Sequence, residues 1–133
     1  MNEIRSGSGE SPSAVCEEAV ARYRQYGKAI QSPAIRKVIE SVIHQKAEHA
    51  AILRPIEAGF ECGGDRVAIS EGAQPEDVLR GLVAHELSFA ERLDVFAASL
   101  ADEDSRLAVK AVAEASRKFA SWAQDHLDLL AMF

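Results

Sequence analysis

Four blocks of apolar residues at helical spacing, with no stretch alternating at period two, restrict this chain to an all-α fold. The first block runs from about Ser13 to Ile30, after Ser11-Pro12-Ser13, where Ser can cap open amides and Pro is tolerated in a first turn. Gln31-Ser32-Pro33 interrupts the pattern and starts the second block in the same way. That block runs to about Leu53, and Pro55 ends it. A Gly-rich, non-periodic stretch follows, from about Ile56 to Gln74. Pro75 opens a third block ending near Ala101. The acidic turn Asp102-Glu103-Asp104-Ser105 supplies N-cap residues for a fourth, which continues to the last residues given.

The lengths of the connections restrict topology further. Blocks one and two, and blocks three and four, are separated by a few residues each, so each pair is expected as an antiparallel helical hairpin. The middle stretch, about 19 residues, reaches roughly 60 Å when extended. A helix of about 26 residues is only about 39 Å long. The stretch can therefore cross the length of a bundle and set the second and third helices parallel, although a shorter hairpin with a long loop is also allowed.

Composition excludes several classes. A chain of 133 residues has room for one core, with residues 1–12 expected as a loose arm and 13–133 as one bundle. The net charge of -6, with no basic block, argues against nucleic-acid binding. No apolar run approaches a membrane span, and Met1 to Ser13 lacks the apolar segment of a secretory signal. Cys16 and Cys62 form no CxxC pair. A cytoplasmic location follows from these absences. Ser-rich and Gly-rich spots lack the strand-turn-helix setting of a hydrolase elbow, and Gly63-Gly64 lacks the rest of a phosphate loop. Glu40, Glu48, Glu57 and Asp125 read as a solvated face, and Tyr23, Tyr26 and Trp122 as core or groove residues.

Helical phase places candidate chemistry on the inward faces. In block two, Ile35, Ile39, Val42, Ile43, Ala50 and Leu53 set the face, with Lys46 and His49 inside it. His44 and Glu48 fall opposite. In block three Glu86 lies among Leu79, Leu82, Phe89, Leu93, Phe96 and Leu100. In block four Ala123 and His126 lie among Val112, Phe119, Leu127 and Leu130. In block one Cys16 lies with Val15, Ala19, Tyr23, Tyr26 and Ile30.

The two halves also resemble each other. Ala47-Glu48-His49-Ala50-Ala51-Ile52-Leu53 and Gln124-Asp125-His126-Leu127-Asp128-Leu129-Leu130 each set an acid, a His and an apolar step near the end of a hairpin. In this the chain, from about Ser13 to Phe133, resembles the ferritin-like superfamily, and within it the rubrerythrin-type proteins. Those proteins repeat a hairpin whose first helix gives a Glu seven residues before a Tyr and whose second gives Glu-x-x-His. The resemblance implies a four-helix bundle of two antiparallel hairpins with one crossover, two iron ions in its core, and chemistry with oxygen or peroxide. Pairing of two copies along helix faces is also implied, hence a homodimer.

Carried over position by position, half of the ligand set remains. His49 and His126 match the two His positions, and Glu86, seven before Leu93, matches the third-helix Glu. Lys46 and Ala123 replace the two Glu-x-x-His carboxylates, and the first-helix Glu is replaced by Cys16, counted seven before Tyr23, or by Ala19, counted from Tyr26. Two iron ions need several carboxylates to offset and bridge their charge. One Glu and two His fall short of that, and Lys46 opposes a cation directly. Lys46 is expected to pair with Glu86 instead.

Glu86, His49, His126 and Cys16 are also donors suited to a single iron or zinc ion. A hemerythrin-like reading of His44-x-x-x-Glu48 has its pair on the outer face. Two classes of function stay open: a redox or iron-related protein with a divergent site, and a metal-free helical dimerisation or binding module.

Overall fold

A computed structural model of the chain describes residues 10–28, 30–62 and 74–132. Among these the regular structure is helical throughout, as the apolar period requires. The helices are α1 (Pro12–Gly27), α2 (Pro33–Leu53), α3 (Pro75–Ser99) and α4 (Glu103–Ala131). Two compact units divide the chain, residues 1–65 and 66–133. Within the first, α1 packs against α2; within the second, α3 packs against α4. Of the expected crossover stretch, residues 63–73 lie outside the described part.

Each helix starts where a side-chain oxygen can take an amide that has no intrahelical acceptor. Ser11 Oγ accepts from the Ala14 N–H at 3.3 Å, and Ser32 Oγ from Ile35 at 3.4 Å. Pro12, Pro33 and Pro75 occupy first-turn positions, where a missing N–H removes no bond. The Asp77 carboxylate accepts from the Gln74 N–H at 3.4 Å. At α4 the Asp102 carboxylate accepts from the Ser105 N–H at 2.8 Å, and that bond holds Asp102 below the usual carboxylate range. Its stabilising contribution is complete above an unfolded pKa of about 3.9 and is lost as pH falls through the lowered folded value.

Two boundaries differ from the apolar pattern. α1 ends at Gly27, yet Ile30 is buried in the connection, its N–H donating to the Gly27 carbonyl at 3.2 Å. α3 ends at Ser99, with Leu100 already extended. Apolar spacing reports burial, and Ile30 is buried without being helical.

The second unit packs large residues against small ones. α3 buries Leu82, Phe89, Leu93 and Phe96, whereas α4 buries Val112, Ala113, Ser116 and Ala120. That alternation lets side chains of one helix sit between those of the other. Leu130, expected on the inward face, is exposed.

Beyond α2 the chain turns back on the start of α1. Ala58 and Gly59 adopt left-handed φ values of 43° and 83°, which reverse the chain. Glu57 then receives the Ser13 N–H at 2.8 Å and the Ser13 hydroxyl at 2.7 Å. The Cys62 N–H donates to the Glu10 carbonyl at 2.7 Å, and Arg54 forms an ion pair with Glu17. Glu57 is therefore no part of the solvated face, unlike Glu40, Glu48 and Asp125, which are exposed. A carboxylate at a helix start meets both open amides and the positive end of the helix dipole. Glu57→Ala is expected to destabilise the protein by roughly 1.5–3 kcal/mol, the range for hydrogen bonds to a charged group. Urea unfolding checks this, and an unchanged midpoint would show that the contact contributes nothing.

Candidate functional site

The first unit holds three of the expected positions. Cys16 is fully buried on α1, seven residues before buried Tyr23. On α2, Lys46 is only 1% exposed, and His49, one turn further on the same face, is half-buried. His44 and Glu48 lie on the solvent side, their side chains 80% and 63% exposed, with Nε2 and Oε2 3.5 Å apart. This outward His-x-x-x-Glu pair is a solvated contact of small energetic weight.

The second unit holds the other three. Glu86 on α3 is 0% exposed, and so is Leu93, seven residues on. Ala123 on α4 is fully buried, and His126 is half-buried one turn later. The ring of His126 is fixed by its own helix, with Nδ1 3.1 Å from the Trp122 carbonyl oxygen. A carbonyl only accepts, so Nδ1 carries the proton, and in the neutral ring the lone pair belongs to Nε2. Metal-binding His residues are commonly oriented by such a bond. Trp122 lies against the same ring, with centroids 4.3 Å apart and planes at 44°.

One neighbour was missed by motif comparison. His85, directly before Glu86, is half-buried and lies near-parallel to Phe89, with ring centroids 6.3 Å apart. The signal was available: His85 stands four residues before Phe89, on the edge of the same inward face. Ser116, buried on α4 with Val112 and Ala120, also escaped the apolar pattern because it is polar.

The donor chemistry decides what these faces can hold. Lys46 and Ala123 are both buried where the resemblance calls for carboxylates, and Cys16 is buried at the third such position. A lysine ammonium donates only, and an alanine offers no donor atom. Among the described residues no group of three or more His, Cys, Asp or Glu side chains is gathered to hold a metal ion. The residues present do not fit a two-iron centre. Among the described residues no helix is long and apolar enough to cross a membrane. No protein-family model, curated protein or solved structure matches this chain.

Proposed function

We propose that this chain is a rubrerythrin-type, ferritin-like bundle that has given up its two-iron centre and serves as a metal-free helical dimerisation or binding module. In this reading each helix pair is an antiparallel hairpin, and residues 56–74 cross the bundle so that α2 and α3 run parallel. The observation that carries it is Lys46: a long cationic side chain, 1% exposed, at the position of a ligand carboxylate. An ammonium there repels a metal cation, and in this reading its counter-charge is Glu86.

A second reading, a redox or iron-related protein with a divergent site, rests on His126 alone. The contact of its Nδ1 with the Trp122 carbonyl favours the tautomer whose lone pair is on Nε2, a nitrogen that can bind a cation. One experiment separates the two. Protein purified without chelator is analysed for iron and zinc, then titrated with each ion while Trp122 fluorescence is followed. The metal-free module shows substoichiometric metal and no saturable change in emission. Stoichiometric metal, or a saturating change abolished by His126→Gln, overturns it in favour of the metal-binding reading.

A further inference from the structure

Gln124, Leu127, Asp128 and Ala131 follow one another on α4 at the spacing that sets residues on one stripe of a helix. Together with Leu130, and with Glu76 and Arg80 from the start of α3, they line a cleft of about 330 Å³ within the second unit. That volume is near the lower limit for small-molecule sites, so the cleft suits a ligand of few atoms. Leu127, Leu130 and Ala131 give it an apolar wall. A bare metal ion gains nothing from such a wall. A short carbon chain does, because lying against it takes apolar surface out of water.

The charges around the cleft decide the sign of a ligand's head group. Its lining carries two carboxylates, Glu76 and Asp128, against one guanidinium, Arg80. Arg80 is already held by Asp77 of its own helix, Nη1 to Oδ1 at 3.0 Å. Asp77 also accepts from the Gln74 N–H at 3.4 Å, so it answers the positive start of α3 as well. An anion would therefore find both attractive groups engaged. A cation meets the opposite situation. Asp128 takes the Gln124 amide at 2.9 Å through Oδ1, which leaves Oδ2 and the Gln124 carbonyl oxygen as further acceptors. The last turn of α4 carries no basic residue to offset the negative end of its dipole. We propose that this cleft binds a small primary alkylammonium ion. Its carbon chain lies along Leu127, Leu130 and Ala131, and its ammonium lies among Glu76, Asp128 and Gln124. An ammonium has three donors and no acceptor, which matches carboxylate and amide oxygens. The site belongs to the surface of the second unit and is independent of what the helix cores hold.

The test titrates the isotope-labelled full chain with n-hexylammonium chloride and follows backbone amide shifts by NMR. Saturable shifts are expected at residues 76–80 and 124–131. Hexanoate carries the same chain on the opposite charge, and methylammonium the same head without the chain. Each should bind at least about tenfold more weakly. Glu76→Gln combined with Asp128→Asn should weaken hexylammonium at least about tenfold, because both charged acceptors are gone. Ala131→Trp, made at an exposed position, puts an indole into the cleft and should abolish binding. Arg80→Gln should leave binding unchanged or tighten it. Circular dichroism checks that each variant keeps its helices. No saturable shift with hexylammonium overturns the proposal, as do shifts confined to other parts of the chain. Equal binding of hexanoate or methylammonium overturns it too, and so does hexylammonium binding that survives the substitutions at Glu76, Asp128 and Ala131.

Discussion

Lys46→Met is expected to lower the unfolding free energy by about 3–5 kcal/mol, the loss seen when one member of a buried ion pair is removed. Methionine matches the lysine stem in length and hydrophobicity, so little of that loss comes from packing. It comes from the buried counter-charge of Lys46, which the proposed reading assigns to Glu86, itself 0% exposed. Adding Glu86→Leu to the same protein should recover most of the loss, because two apolar groups can replace a buried pair at little net change. Urea unfolding of the four proteins in this cycle gives the coupling directly. Additive single effects, within about 0.5 kcal/mol, would show that the two charges act separately.

The second expectation tests the proposed ferritin-like reading by placing carboxylates at the positions that the resemblance assigns to ligands. Lys46→Glu with Ala123→Glu restores both Glu-x-x-His motifs, and Cys16→Glu completes the six positions. Without metal this variant should be several kcal/mol less stable than the unaltered chain, because like charges are gathered on buried faces. Ferrous ion should then stabilise it. At a free concentration of about one hundred times Kd the gain is about 2.7 kcal/mol, or roughly 10 °C in a chain of this size. Thermal unfolding with and without iron measures it, with the unaltered protein as the unresponsive control. An apo variant as stable as the parent, with no thermal shift on iron addition, would sink the ferritin-like reading of these positions.

The fold class was legible because helical spacing and start signals are local. Ser11, Ser32, Pro33, Pro75 and Asp102 mark helix starts within a residue of where they occur. Inward phase was legible for the same reason, and Lys46, Glu86 and Ala123 are all buried as their spacing requires. Glu57 was not legible. Its partner Ser13 stands 44 residues away, and nothing in an exposed-looking Glu after a proline turn announces a helix start as its acceptor site. Leu130 misled for a related reason: periodicity continues to the end of α4, but Leu130 is exposed there. Of the site, residue types and faces could be read. The tautomer of His126, set by a bond to its own backbone, could not.

The bonds from Glu57 to Ser13 and from Cys62 to Glu10 bear on the order of events during synthesis. The bonds from Glu57 to Ser13, from Cys62 to Glu10 and from Arg54 to Glu17 tie the segment after α2 to α1 and the residues just before it, so these contacts can form once residue 62 has left the ribosome. Chains emerge at about 5–20 residues per second, whereas helical hairpins form in far less than a second. The first hairpin can therefore fold while α3 and α4 are still being translated, and the nascent chain then exposes one apolar helix pair at a time.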